Sequence, residues 1–207
     1  MIRELILVSA DLAATAWFAT GLAPGPKVPP HLVLRAIAAP DEADRFATGP
    51  VPIAVARTRL DDGDRCIIAE DSATHMIVAQ LWLSRRARTL AWIGCAVRPL
   101  PAHMLLYNAW VEPALRGPGL HWAMASFACQ TATASGVTGI CAGLERAEFA
   151  PFARKYADMG LAVIVPYAGL WTARLFGAVG RLQLPPPRAL VRLSREIGRN
   201  FRGGSCA

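Results

Sequence analysis

With 207 residues, 54% of them hydrophobic and 18% charged, the chain is long enough for one domain with a sizeable core. No run reads as a clean membrane span: the nearest, residues 5–23, carries Asp11, and it makes a poor signal peptide because Arg3 and Glu4 cancel ahead of it. The five cysteines are scattered and form no C-x-x-C pair, so they suggest neither a zinc site nor a disulfide framework, and a reducing cytoplasm is the expected location.

Residues 1–31 read as an apolar extension, a buried strand or helix, followed by a linker rich in proline and glycine. Leu32–Ile37 is the first strand of the main domain, which is expected to span residues 32–180. Asp41–Thr48 and Pro52–Leu60 read as short helices, the first with an acidic opening turn. Asp61-Asp62-Gly63-Asp64 is a turn. Three antiparallel strands are expected next, Arg65–Glu70, His75–Ser84 and Arg88–Val97, and then a further strand, Met104–Val111. A helix over Leu120–Ala134 has no internal glycine or proline. Val137–Leu144 is a strand. Phe149–Met159 is a helix with Phe149, Phe152, Ala153 and Tyr156 on one face and Gly160 as its C-cap, and Leu161–Val165 is a strand. The order is a mixed α/β plan. Residues 181–207 form a basic arm: six arginines against one glutamate supply five of the net +7 charges, and Pro187–Phe201 fits an amphipathic helix.

The segment Trp110-Val111-Glu112-Pro113-Ala114-Leu115-Arg116-Gly117-Pro118-Gly119-Leu120-His121 reads as strand, phosphate-sized loop, helix. Free N–H groups at a helix start, with the positive end of the macrodipole behind them, make an anion site, and glycines let the backbone approach a diphosphate. A strand ending in Val-x-Pro, followed by Arg-Gly-x-Gly at a helix start, resembles the coenzyme A loop of the GCN5-related N-acetyltransferases (GNAT). A second stretch, Tyr156 to Leu161, resembles the family's Tyr-x-x-x-Gly-Phe ending, with leucine in place of phenylalanine. The sequence departs from the family at His121, where Gly or Ala is usual, at Pro118, which lacks an N–H, and at Glu148 and Phe149, where an Asn is common.

The resemblance covers roughly residues 65–165. It implies an α/β fold of the α+β type: a mixed, mostly antiparallel central sheet flanked by helices, here with N- and C-terminal extensions. It also implies direct transfer of an acyl group, acetyl or longer, from CoA to a primary amine on a small molecule or peptide. Trp110, Val111, Arg116, Gly117, Gly119, Leu120 and His121 would then hold the acyl-CoA, with the oxyanion donor coming from backbone near Trp110 and Val111. Tyr156 is the expected acid for the leaving thiolate and Glu112 the expected base, with Glu145 second.

No covalent nucleophile and no metal site is expected. Asp61, Asp62 and Asp64 lack the glutamate a calcium loop needs. Phe46, Trp82, Trp92 and Tyr107 are candidate walls of the acceptor pocket. The basic arm suggests an acidic partner, an acyl carrier protein donor being one version, whereas nucleic acid is not expected because the arginines lack an interleaved stacking platform. A non-catalytic GNAT-fold binding module is the alternative function, and a homodimer is a base-rate expectation.

Overall fold

Long apolar runs bounded by turns build the middle of this molecule. The computed structural model describes residues 2–3, 5–11, 28–90, 95–99, 101–117, 119–145, 162–166 and 170–171. Its strands, in chain order, are β1 (Ile2–Arg3), β2 (Leu5–Asp11), β3 (Leu32–Ile37), β4 (Arg65–Asp71), β5 (Ile77–Ser84), β6 (Arg88–Leu90), β7 (Cys95–Val97), β8 (His103–Val111), β9 (Gly139–Glu145), β10 (Ala162–Pro166) and β11 (Leu170–Trp171). A 3-10 helix spans Pro40–Thr48, α1 spans Ile53–Asp61, and α2 spans Leu120–Ala134.

Seven of these strands form one sheet in the order β10-β2-β9-β8-β5-β4-β3. Neighbours are antiparallel except β8 and β9, which are parallel. The sheet is thus mixed and mostly antiparallel, with helices on its faces, as the resemblance implies. Central strand β5 is apolar at all positions but Gln80 and Ser84, and β4 is apolar over Cys66–Ala69, because both faces are covered. One face holds Ile67, Ala69, Leu81 and Leu83 against Leu120, Met124, Ala128 and Ala132 of α2. The other holds Cys66, Ile68, Trp82, Leu105 and Tyr107 against Phe46 of the 3-10 helix and Ala56 and Leu60 of α1.

α2 is apolar on most of its circumference, the pattern of a buried helix. Its last turns are closed by its own hydroxyls: Thr131, Thr133 and Ser135 each donate to the carbonyl four residues back. Arg85 donates to the Ser135 carbonyl at 2.7 Å, a cation at the negative end of the helix.

One element differs from the sequence expectation. Arg88–Val97 is not one strand of the main sheet. β6 and β7 pair with each other, Arg88 with Val97 and Leu90 with Cys95, as a separate two-stranded ribbon. The guanidinium of Arg88 is tied to Asp62 and Asp64, which fixes the start of β6 beside the turn after α1. The apolar N-terminal run supplies β2, which lies inside the sheet, antiparallel to β9 from Leu5↔Glu145 to Asp11↔Gly139 and antiparallel to β10 on its other side. Among the described residues, no helix is long and apolar enough to cross a membrane. The expected helix over 149–159 and the basic arm, 181–207, lie outside the described residues.

Candidate functional site

The site starts from a defect in β8. Trp82 of β5 pairs with Tyr107, but the next pair on the ladder is Gln80 with Trp110. Leu81 therefore faces two residues, Asn108 and Ala109, which is a β-bulge. Asn108 takes a left-handed φ of 49°. Asparagine is among the few side chains that visit this region readily, since its short amide can bond locally. The bulge bends β8 at mid-length. Up to that point β8 and β9 pair in parallel, His103↔Gly139 through Leu106↔Ala142. Beyond Leu106 and Ala142 the two strands are no longer paired with each other, although β8 runs on to Val111 and β9 to Glu145. Each keeps its outer neighbour, β5 or β2. A wedge-shaped opening in a central sheet is the result.

The chain leaves this wedge through the glycine loop. The Glu112 N–H donates to the Val78 carbonyl at 2.9 Å, holding the strand end against β5. A single 3-10 turn, Pro113–Leu115, follows. The Arg116 side chain folds back, its Nε donating to the Val111 carbonyl at 3.0 Å. Gly117 and Gly119 then take φ of 109° and 96°, a region other side chains rarely adopt. Gly119 is the N-cap of α2, so the turn is held by backbone conformation and not by a capping side chain. A Cβ on Gly117 would meet nothing within 4 Å, so glycine is required there by backbone angle and not by crowding. Leu120 is buried under the sheet and anchors the helix start. In the first turn of α2 the Trp122 and Ala123 N–H groups donate to the Gly119 carbonyl at 2.9 and 3.1 Å, and those of Leu120 and His121 precede the helical ladder.

His121 sits in that first turn, half-buried, its ring edge-on to Trp122 at 5.7 Å. Removal from water lowers its pKa. A group whose folded pKa lies below its unfolded value of about 6.5 adds stability above that pH and loses it as pH falls through the folded value. Wild type is expected to lose more stability between pH 7 and pH 5 than His121→Gln. Parallel melting curves across that range test this, and coincident pH profiles would refute it.

The face opposite α2 carries a buried ionic network. Asp64 is 1% exposed. Its Oδ2 accepts from the Tyr107 hydroxyl at 2.5 Å and lies 2.8 Å from Arg88 Nε. Arg88 also donates to Asp62 at 2.8 Å, as does Arg86. Burial works against the charge on Arg88, but Asp64 and Asp62 outweigh it and raise its pKa. Burial and then the Asp64 contact push the Tyr107 phenol up, so it stays protonated. The Arg59 guanidinium lies over the Trp82 and Tyr107 rings at 4.8 and 5.3 Å. This network grips the residue immediately before the bulge.

Trp110, Val111, Arg116, Gly117, Gly119, Leu120 and His121 thus fall on one continuous path around the strand end, loop and helix start. Glu112 stands at the same strand end, half-buried. Glu145 ends β9 on the other side of the wedge. Tyr156, Pro118 and Leu161 lie outside the described residues, as does Trp92. Phe46, Trp82 and Tyr107 do come together, with ring centroids 5.3 and 6.4 Å apart, but they are buried core and not open walls. Cys66 and Cys129 are buried thiols pushed up by burial, a poor state for a nucleophile. Sequence reasoning missed Asn108, for which an asparagine inside an apolar strand run was the available signal. It also missed the burial of Asp64, for which there was none.

No protein-family model matches the sequence, and no curated protein matches it. Solved structures do match. A tandem GNAT protein from the clavulanic acid biosynthesis pathway aligns with a TM-score of 0.50 at 17% identity, covering 80% of this chain and 51% of that one. A GCN5-related N-acetyltransferase from Sphaerobacter thermophilus aligns at 0.49 and 16%, covering 78% and 49%, and another from Kribbella flavida at 0.48 and 14%, covering 82% and 57%. This chain spans about half the length of these proteins. Identities this low speak to architecture alone, and on that level the chain, a mostly antiparallel sheet flanked by helices, has the fold of the GCN5-related N-acetyltransferases.

Proposed function

We propose that this chain is a CoA-dependent N-acyltransferase that moves an acyl group from a thioester directly to a primary amine. The observation that carries the reading is the parting of β8 and β9 at the Asn108 bulge, directly ahead of two left-handed glycines at the start of α2. The residues present suit a pantetheine diphosphate. The loop has no side chain at Gly117 or Gly119, the open sheet edges carry main-chain donors and acceptors, and the helix start favours negative charge. Arg116 is exposed next to the loop and adds a positive charge.

In this reading the thioester lies in the wedge, with its carbonyl toward the backbone near Trp110 and Val111. The amine loses its proton to Glu112, directly or through water, and attacks the carbonyl carbon. The resulting oxyanion is stabilised by backbone N–H groups, and the carbon–sulfur bond then breaks. Tyr156 supplies the proton to the departing thiolate. Cys66 and Cys129 take no part, in keeping with their buried, protonated state.

Two measurements test this. Saturating acetyl-CoA, a long-chain acyl-CoA or free CoA should raise the melting temperature, and the donor with the largest effect indicates the chain length. No rise with any of the three sinks the proposal. Once an acceptor amine is found, Tyr156→Phe is expected to lower kcat by about 100-fold or more while leaving the CoA-induced rise in melting temperature intact. An unchanged kcat would remove Tyr156 from the mechanism.

A further inference from the structure

A second cleft lies at the other end of β8. The loop after β5 and the loop before β8 border a half-open cleft of about 520 Å³, within the range of small-molecule sites. Arg85, Arg86, Arg98 and His103 line it together with Pro99 and Pro101, and among the described residues no carboxylate lines it. From His103 to Val111 is eight residue steps along the strand, roughly 27 Å at about 3.4 Å each, so this cleft is separate from the glycine loop.

Its walls are held in place. Ala102 has φ 58°, a left-handed conformation that is costly for a side chain other than glycine. Thr138 clamps that residue, its N–H and hydroxyl donating to the Ala102 carbonyl at 2.9 and 3.3 Å. His103 Nδ1–H donates to the Pro101 carbonyl at 2.9 Å. The imidazole then packs against β9 at Gly139, where a Cβ would lie 2.3 Å from its Nε2. Gly139 is thus needed for this placement of the histidine.

The positive charge is only partly spent. Arg85 gives one N–H to the Ser135 carbonyl and Arg86 one to Asp62. No hydrogen bond or ion pair engages Arg98 among the described residues, and its side chain is exposed. A guanidinium has five N–H donors in a planar fork that matches phosphate oxygens, so all three arginines keep donors for a ligand. Among the described residues no Phe, Tyr or Trp lines the cleft, so it lacks the stacking platform a single-stranded nucleic acid uses.

We infer that this cleft is a second, non-catalytic site for a small multivalent phosphate, such as a diphosphate ester, held by Arg85, Arg86 and Arg98. The inference stands whether or not the glycine loop binds CoA. Titration calorimetry of the full chain with inorganic pyrophosphate and tripolyphosphate, at constant ionic strength, tests it. Wild type should bind saturably. Arg98→Gln should weaken binding about tenfold or more, Arg98→Lys should weaken it less, and Gly119→Trp should leave it unchanged. Arg98 is exposed and has no partner among the described residues, so its variants should keep the wild-type melting temperature. Three outcomes would overturn the assignment: no saturable heat, equal affinity in wild type and Arg98→Gln, or loss of binding in Gly119→Trp. The last would place the phosphate at the glycine loop instead.

Discussion

Gly119→Trp is expected to abolish the rise in melting temperature that wild type shows with acyl-CoA. At a ligand concentration 100 times Kd, binding to the folded state adds about 2.7 kcal/mol. For a chain of this size, 1 kcal/mol shifts the midpoint by about 2–4 °C, so the wild-type rise is roughly 5–11 °C. Gly119 caps α2 at φ 96° and ψ 9°. A tryptophan there must either bear the strain of a left-handed backbone or rotate the peptide, and in both cases it fills the space over the first-turn N–H groups. Gly119→Ala separates the two effects: it carries the backbone strain with little bulk. If alanine keeps part of the ligand-induced rise and tryptophan none, steric blockade of the donor site is the cause. A full rise in Gly119→Trp would mean that the phosphates do not sit at this helix.

Asp64→Ala is expected to be the most damaging of the substitutions considered to stability. It leaves the Tyr107 hydroxyl and the Nε of Arg88 without their shared buried partner. Orphaning one member of a buried ion pair costs about 3–5 kcal/mol, and the lower end applies because Arg88 keeps Asp62. A loss of about 3 kcal/mol lowers the midpoint by roughly 6–12 °C. Tyr107→Phe removes a single hydrogen bond and should cost about 1 kcal/mol or somewhat more, given the charged acceptor. Both variants share one contact, so the double variant should fall short of the sum. A loss for Asp64→Ala within about 0.5 kcal/mol, the range of ordinary surface changes, would mean that the network does not hold the fold.

The network also bears on function through Tyr107, the residue before the bulge. Loosening its side chain frees the stretch of β8 from which the wedge opens. Ligand-induced stabilisation should therefore shrink in Asp64→Ala at temperatures where the variant is still folded.

Much of this site was legible in the sequence. Leu120–Ala134 has the bounds expected from its uninterrupted apolar character, and the Arg-Gly-Pro-Gly turn ahead of it is where the backbone turns left-handed, at Gly117 and Gly119. Helix starts and glycine turns follow local rules, since the relevant bonds and angles lie within a few residues. The same holds for β4, β5 and β8, whose apolar runs mark them as strands within a residue or two of their observed ends.

What tertiary structure alone decided is what depends on partners far away in the chain. Arg88–Val97 has strand composition, but pairing folds it on itself as β6 and β7. Asp64 sits in an Asp-Gly turn with every local mark of an exposed residue, and only the arrival of Tyr107 and Arg88 makes its burial tolerable. The bulge at Asn108 is a mismatch in register between two strands, a property that neither strand has by itself. Leu5–Asp11 is an apolar run that several positions could accommodate. Its place between β9 and β10 is set by which edges the rest of the sheet leaves unpaired, because backbone groups in a strand inside a sheet find partners on both sides.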